Sequence, residues 1–364
     1  MPFESEFPNA HAIYRKGIDR GYHFGAQVYI WKEGEILVDE ALGIRDEADT
    51  PLDRNDIMLW KSAGKPVAAV AVAQLNESGK LNFDDPVAKF IPEFAQGGKE
   101  PITIQNMLTH QGGFPVGTFT LPPPDWDDAI ELICALPLSE NWVIGETAGY
   151  HPLTAWYILA EIVHRVDGRP YTDYIRDEIF DPLKMDSSHI GMSDETYDTL
   201  VQRIAPICVT VRGKSEWLTN TERQWVTPCV PGANARGPAR ELGFFYEALL
   251  SGGRDILKPD SVSNLVHRHR EGLPDLTFRS TMDWGLGFIL NSNRYGAETT
   301  PYGYGIHASE DSYGHGGRES SSAFADPAHD LVVIVIFNGM PGEPRHNQRV
   351  RDFNTAVYED LGLA

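Results

Sequence analysis

The sequence predicts an α+β fold, in which an antiparallel sheet flanked by terminal helices carries an inserted, mostly helical subdomain. Strand-like runs occur near the N terminus and again after residue 284, and helical periodicity dominates between them. The 364 residues, 41% of them hydrophobic, are enough for a large core shared by two subdomains. We expect residues 1–95 and 275–364 to form the sheet-containing part and residues 96–274 the insert, within one domain overall.

The first hundred residues alternate helix, hairpin and helix. Apolar residues at helical spacing predict a helix over 8–20. Two short strand-like runs, 27–31 and 35–39, are joined by Lys32-Glu33-Gly34 and predict a hairpin. A polar loop then leads to Ser62 and to the Ala-rich apolar run 67–75, which predicts a buried helix ending near Gly79.

The middle of the chain is mostly helical and its end is mostly extended. Thr103 is placed to cap a short helix before Gly112-Gly113, and residues 114–126, rich in Pro, Gly and aromatic side chains, predict a surface loop. The remaining predicted elements are helices at 127–136, 152–166, 170–180, 238–251 and 348–361, and strands at 284–290, 322–325 and 331–337. Residues 200–230 carry no clear periodicity.

Composition limits the kind of partner this chain can have. Its 31 Lys and Arg against 52 Asp and Glu give a net charge of −21, which repels phosphate backbones and anionic membranes, so we expect neither nucleic acid nor membrane as a partner. The first twenty residues have six charges and no apolar stretch typical of a secretory signal. Three cysteines at irregular spacing favour reduced thiols and a cytoplasmic protein; a secreted form after signal removal is the alternative.

Ser62 and Lys65 are the first residues that indicate chemistry. At a spacing of three they share one face of the predicted helix, so the Ser62 hydroxyl and the Lys65 amine would lie side by side. The first turn of a helix also presents free N–H groups that favour a developing oxyanion. A serine beside an amine in such a turn is a nucleophile with its own proton acceptor, although a lone S-x-x-K pattern also occurs by chance.

Two later segments add to this candidate site. Gly149-Tyr150-His151 offers a phenol and an imidazole before a helix, although Tyr150 alone is equally typical of a packing residue. His315-Gly316-Gly317-Arg318 precedes a predicted strand, and its glycines would let a substrate carbonyl approach the backbone, although such a segment is usually only a turn.

Together and in this order, these segments resemble the serine β-lactamase-like superfamily, in its class C branch with the family VIII esterases, related acyltransferases and D-amino peptidases. The resemblance covers nearly the whole chain. Its matching segments are Ser62-Ala63-Gly64-Lys65 for S-x-x-K, residues 102–113 for the ITI-x-x-LLTHTSG segment, Tyr150 for the Y-x-N tyrosine, residues 179–185 for IF-x-PLGM, residues 237–242 for STARDLA, and His315-Gly316-Gly317 for K-T-G. The resemblance implies a lactamase fold.

The resemblance and the chemistry together imply an acyl-enzyme mechanism. Ser62 would be the nucleophile, Lys65 the general base and Tyr150 the general acid and base, with His315 hydrogen-bonded to the tyrosine oxygen. The N–H groups of Ser62 and Arg318 would form the oxyanion hole. No metal or cofactor is implied, because the histidines show no ligand spacing such as H-E-x-x-H.

Two departures from the family pattern narrow the substrate. Pro152 replaces the asparagine of Y-x-N, and His315-Gly316 replaces the lysine and threonine of K-T-G, so groups that usually hold a β-lactam or a peptide are missing. The sequence therefore predicts a carboxylesterase acting on small or medium apolar esters. An acyltransferase to an alcohol or amine is the main alternative; a β-lactamase, a D-amino peptidase and a non-catalytic binding module rank lower.

The substrate pocket is predicted from glycines and aromatic residues. Gly316 and Gly317 would leave room for the acyl group, and the aromatic side chains of the loop 114–126, namely Phe114, Phe119 and Trp126, would wall an apolar pocket. The equal alternative is that these aromatic residues cap the helical subdomain. A small ester or acyl donor is thus the expected partner, and the sequence leaves the oligomeric state open.

Overall fold

Strands from the two ends of the chain pair in one central sheet. The computed structural model describes residues 3–114 and 123–364. In the described residues the strands are β1 Gly25–Lys32, β2 Glu35–Gly43, β3 Met58–Leu59, β4 His189–Ile190, β5 Cys208–Val211, β6 Lys214–Trp217, β7 Ala235–Gly237, β8 Pro274–Asp275, β9 Ser280–Thr281, β10 Ile289–Leu290, β11 Tyr313–Gly317, β12 Ser321–Asp326, β13 Leu331–Phe337 and β14 Gly339–Met340. Six of them form an antiparallel sheet in the order β10-β11-β12-β13-β1-β2.

Helices cover both faces of this sheet and fill the middle of the chain. They are α1 Phe3–Glu6, α2 Pro8–Asp19, α3 Lys65–Glu77, α4 Ile104–Leu108, α5 Trp126–Ala135, α6 Thr154–Asp167, α7 Tyr171–Ile175, α8 Asp194–Leu200, α9 Arg223–Val226, α10 Ala239–Leu250, α11 Pro259–Leu265 and α12 Glu343–Asp360. Short 3₁₀ turns join several of them, including Lys61–Gly64 immediately before α3, and a π-helical turn at Arg176–Phe180 follows α7. Within the described ranges, each helix is too short or too polar to cross a bilayer.

The alternation of side chains along β13 divides the core into two layers. Val332, Ile334 and Ile336 pack in the cluster that contains α3 and α10, whereas Val333 and Val335 pack in the cluster that contains α2 and α12. Successive residues of a strand point to opposite faces, so a strand buried on both faces reads as one continuous apolar run. The terminal helices α2 and α12 pack against each other on one face, and α10 packs on the other.

Helix α3 is buried along most of its length beside the candidate site. All of its residues from Lys65 to Ala73 are buried, and it packs against α6 and α11. A side chain at Gly64, just before the helix, would collide with the methyl group of Ala235. The small residues of this segment therefore let the start of α3 approach β7 closely.

The predicted fold class is confirmed, and the N-terminal hairpin and most helices lie where their periodicity indicated. The strand expected at 284–290 is wrong over most of its length, because only Ile289–Leu290 pair with β11, and Gly287, with φ +82°, turns the chain. The last helix starts at Glu343 rather than 348. The subdomain boundaries stay a prediction. The cysteines are free thiols, two of them buried.

Candidate active site

The proposed nucleophile lies on a tightly anchored turn between β3 and α3. Trp60 is fully buried, its N–H donates to the carbonyl of Ala235 (2.8 Å), and its carbonyl accepts from the hydroxyl of Ser321 (2.9 Å). The next residue, Lys61, has a left-handed φ of +54°, a conformation that costs a non-glycine residue roughly 1–2 kcal/mol. Lys61 is the first residue of the 3₁₀ turn Lys61–Gly64, and Ser62, the second, is partly exposed.

The amine of Lys65 lies directly beside the serine hydroxyl. Its Nζ is 2.8 Å from Ser62 Oγ and also donates to the carbonyl of Gly232. The rings of Tyr150 and Trp156 lie 5.3 and 5.5 Å from Nζ, and the side chain is buried. Burial lowers the pKa of Lys65 well below its usual value, since the charged form loses its water. This shift favours the uncharged amine, which is the form that can accept a proton.

Tyr150 approaches the serine from the other side. Its hydroxyl donates to Ser62 Oγ over 2.9 Å, and the residue is only 7% exposed. Burial raises the pKa of Tyr150, and the carboxylates of Asp275 and Glu343 raise it further against the lowering effect of the Ser62 hydrogen bond. The phenol therefore stays protonated at neutral pH. Ser62 Oγ thus lies between a basic amine and a proton-donating phenol.

Strand β11 packs against the turn that carries Ser62 and brings His315 behind Tyr150. The expected hydrogen bond between the two is wrong, because the tyrosine hydroxyl points to Ser62 and the ring centroids of Tyr150 and His315 are 6.0 Å apart. His315 Nδ1 lies 2.7 Å from the carbonyl of Gly316, and its Nε2 has no hydrogen-bond partner in the described part of the chain. Burial, with a smaller effect of Lys65, lowers the pKa of His315 to about 3, so its imidazole is neutral.

A family model described as Beta-lactamase matches residues 11–356 of this chain. The chain belongs to the beta-lactamase family. Esterase EstB of Burkholderia gladioli is 27% identical over 372 residues, which cover 91% of this chain and 91% of the esterase.

Two solved structures resemble this beta-lactamase family member over almost its full length. A family VIII carboxylesterase has a TM-score of 0.79 and 25% identity, and the match covers 98% of each chain. A penicillin-binding protein homolog from Caulobacter crescentus has a TM-score of 0.78 and 28% identity, again over 98% of each chain. These comparisons indicate a serine hydrolase of the β-lactamase superfamily, and they include both esterase-like and penicillin-binding relatives.

The glycines of β11 have a structural reason that differs from the predicted one. A Cβ at Gly316 would collide with the ring of Tyr302, and a Cβ at Gly317 would collide with the Trp60 carbonyl and the Ser321 hydroxyl. Both glycines are buried. They therefore let β11 approach the turn that carries Ser62 closely, and the approach of a substrate carbonyl to their backbone N–H groups stays a prediction.

Two of the three predicted pocket aromatics pack in the helical region. Phe114 is 1% exposed and contacts the rings of Phe94 and His151, so it is a core residue and not a pocket wall. Trp126 donates from its indole nitrogen to Glu161 (2.7 Å) and packs on the ring of Tyr157. Both placements follow the alternative in which these residues cap the helical subdomain. Phe119 lies outside the described residues.

A group of charged side chains near the nucleophile was not predicted from sequence. Glu343, at the start of α12, accepts from the hydroxyl of Tyr302 (2.6 and 2.7 Å) and lies 4.0 Å from Arg318 Nε. Arg318 is 71% exposed in its side chain. Lys61 lies 3.0 Å from the sulfur of Met340. Burial, with a smaller effect of Arg318 and against the carboxylates of Glu319 and Glu343, lowers the pKa of Lys61 to about 8. Only the tertiary fold brings residues 61, 318 and 343 together.

The carbonyl of Gly232 was also missed, because a backbone carbonyl leaves no signal in a sequence. Its hydrogen bond orients the Lys65 amine while adding no charge that would raise the pKa of Lys65. The described residues contain no group of three His, Cys, Asp or Glu side chains that could hold a metal ion.

Proposed function

We propose that this protein is a serine carboxylesterase that acts on small or medium apolar esters through an acyl-enzyme on Ser62. The observation that carries the proposal is the pair of contacts at Ser62 Oγ, with Lys65 Nζ at 2.8 Å and the Tyr150 hydroxyl at 2.9 Å. A nucleophile with a base and an acid that both lie within hydrogen-bond reach of it is an arrangement that supports acyl transfer.

In the acylation step, Ser62 Oγ bonds to the ester carbonyl carbon while its proton passes to the uncharged amine of Lys65. The carbonyl oxygen becomes an oxyanion, for which we propose the N–H groups of Ser62 and Arg318 as donors. Removing one such donor typically costs about 10²–10³ in kcat. The tetrahedral intermediate then collapses, the bond to the leaving oxygen breaks, and Tyr150 gives its proton to the alkoxide. Transfer of the Lys65 proton to Tyr150 restores both groups.

Deacylation repeats the same proton transfers with water. Tyr150 and Lys65 together accept a proton from a water molecule that attacks the acyl carbon, and the proton returns to Ser62 Oγ as the carboxylic acid leaves. An alcohol or amine in the place of water would give the transacylation that the sequence left as an alternative. The acceptor is therefore a question of which molecule reaches the acyl-enzyme.

The electrostatics of the site support esters over β-lactams. His315 is neutral where the family pattern has a lysine, and Pro152 has no side-chain amide. Glu343 places a carboxylate close enough to Lys61 and Tyr150 to affect their pKa values. A carboxylate-bearing lactam would lack its usual partners at residues 152 and 315, and the carboxylate of Glu343 would offset the attraction of Lys61 and Arg318 for its charge.

Intact-mass spectrometry with p-nitrophenyl butyrate tests the proposal. We expect a butyryl adduct on the wild-type protein, no adduct on Ser62→Ala, and an unchanged adduct on Ser251→Ala, which removes an exposed hydroxyl at the end of α10. An equal adduct on wild type and Ser62→Ala would refute the assignment of the nucleophile.

The acceptor and the substrate class need two further measurements on the same protein. Added ethanol or benzylamine during turnover of the butyrate ester should leave mainly butyric acid as product for an esterase, whereas butyrate esters or amides would identify a transacylase. We expect negligible hydrolysis of nitrocefin, and its efficient turnover would refute the argument from His315 and Pro152.

A further inference from the structure

The backbone of Tyr150 is bonded on both sides to one turn, residues 275–278. The N–H of Tyr150 donates to Asp275 Oδ1 (3.1 Å), and the hydroxyl of Thr277 donates to the carbonyl of Tyr150 (3.1 Å). The N–H of Leu276 donates to the carbonyl of Ala148 (2.9 Å), so the turn is hydrogen-bonded to the backbone at both Ala148 and Tyr150. Both polar backbone groups of Tyr150 therefore have a partner in this turn.

The turn is itself organised by the carboxylate of Asp275. The same Oδ1 accepts from the N–H groups of Thr277 (2.9 Å) and Phe278 (3.0 Å). Its Oδ2 forms an ion pair with Arg270 Nη2 at 3.0 Å, and both side chains are fully buried. Arg270 also donates to the carbonyl of Thr109 (2.9 Å). A buried ion pair is a weak contributor to stability because of its desolvation, but its bonds hold the groups around it in one geometry.

The turn also contacts the ring of Tyr150. The ring of Phe278 lies 4.7 Å from that of Tyr150, and the ring of His110 lies at the same centroid distance. The N–H of Gly149 donates to the carbonyl of His110 (3.0 Å), next to the Thr109 carbonyl that Arg270 binds. The segment at residues 109–110 and the turn 275–278, which both contact Tyr150, are thus joined by hydrogen bonds through Arg270 and Asp275.

We propose that the turn 275–278, locked by the Arg270–Asp275 ion pair, positions the Tyr150 hydroxyl for proton transfer to the leaving group. Asp275 and Thr277 are positioning residues, since they contact the backbone of Tyr150 and not the reacting atoms. The inference rests on the proposed role of Tyr150 as the acid. Its chemical basis is that a proton donor works only within hydrogen-bond reach, and that a small misplacement can cost 10²-fold in rate.

Two butyrate esters with different leaving groups separate positioning from general damage. Ethoxide needs a proton as it leaves, whereas p-nitrophenolate leaves readily as the anion. The parameter to compare is kcat/KM, which reports the steps up to acylation. Thr277→Val removes the hydroxyl from an exposed residue at nearly constant volume, so the fold is retained, and Thr277→Ser keeps the hydroxyl as the matched control. Asp275→Asn is the stronger change, but it leaves Arg270 buried without its counter-charge.

We expect Thr277→Val to lower kcat/KM for ethyl butyrate at least tenfold more than for p-nitrophenyl butyrate, and Thr277→Ser to stay near wild type with both. In a Tyr150→Phe background, Thr277→Val should cause no further loss, because two changes that act through one group are not additive. Asp275→Asn, if it folds, should show the same selectivity.

Equal losses on the two esters, or a full additional loss in the Tyr150→Phe background, would overturn the positioning role while leaving the esterase proposal intact. A wild-type protein that forms no acyl-enzyme with p-nitrophenyl butyrate would overturn the esterase proposal and with it this inference. The two failures are distinguished by the wild-type mass spectrum.

Discussion

Replacing Tyr150 by phenylalanine removes one oxygen atom from the site and little else. The hydroxyl makes one hydrogen bond, to Ser62 Oγ, whereas the ring packs against His110 and Phe278 at 4.7 Å and against Trp284 at 5.8 Å. A single hydrogen bond contributes about 1 kcal/mol to stability, and the ring contacts remain in Tyr150→Phe. We therefore expect the free energy of unfolding to change by about 1 kcal/mol or less.

The catalytic loss should be much larger than the structural one. A positioned general acid or base contributes typically about 10²–10⁴-fold. Burial keeps the phenol of Tyr150 protonated at neutral pH, so the wild-type protein has this donor in nearly every molecule. For ethyl butyrate, kcat/KM of Tyr150→Phe should fall by about 10²–10⁴, because Lys65 alone cannot protonate the leaving alkoxide.

The assay pairs steady-state kinetics with chemical denaturation of the same protein samples. Tyr197→Phe is the matched control, since its hydroxyl also donates one hydrogen bond, to the carbonyl of Thr221 (2.9 Å), in a part of the fold that does not contact Ser62. The control should lose similar stability and keep its activity. Turnover of Tyr150→Phe within a few-fold of wild type would refute the assignment of Tyr150 as the acid.

Three further variants test separate parts of the site. Lys65→Met should abolish acylation of Ser62. Burial lowers the pKa of Lys65 below the unfolded value of about 10.4, so the folded wild type gains stability as the pH rises toward that value. In urea titrations, the unfolding free energy of the wild type relative to the variant should therefore increase between about pH 7 and 9.5. Gly317→Ala should lower the thermal midpoint and slow acylation, since overpacking costs about 1–3 kcal/mol and would push β11 away from the Trp60 carbonyl. A variant that stays stable and fully active would contradict the close contact between Gly317 and Trp60. Glu343→Gln keeps a hydrogen-bond partner for Tyr302 and removes a carboxylate. The ratio of kcat/KM for an ester with a free carboxylate to kcat/KM for its methyl ester should therefore rise. An unchanged ratio would show that Glu343 does not select substrates by charge.

The sequence predicted elements whose periodicity is local. The hairpin β1–β2 followed from two strand-like runs on either side of Lys32-Glu33-Gly34, and α3 from the Ala-rich run after Ser62. Thr103 does cap α4: its hydroxyl oxygen accepts from the N–H of Asn106, and its own N–H donates to Asn106 Oδ1. In contrast, only two residues of the strand expected at 284–290 form a strand. The other apolar residues of this segment are buried although they lie in a turn.

The site was predictable only in part, for a physical reason. Ser62 and Lys65 are neighbours in sequence, so their proximity follows from helical geometry alone. Tyr150 reaches Ser62 from 88 residues away, and its backbone is hydrogen-bonded to Asp275 and Thr277, which lie still further along the chain. His315 illustrates the limit: its position in the chain suggested a bond to the tyrosine oxygen, but the orientation of both side chains is set by their packing.

By itself, the sequence determined the fold class, the segment of the proposed nucleophile Ser62 with its neighbouring amine, and the order of the segments that resemble the beta-lactamase family. Those features depend on residue type and on short spacings. The tertiary structure alone decided the lowered pKa values of Lys65 and His315, the hydrogen bonds from Asp275 and Thr277 to the backbone of Tyr150, and the carboxylate of Glu343 near the proposed nucleophile. Each of these features arises from burial or from contacts between residues far apart in the sequence, and a local sequence pattern predicts neither.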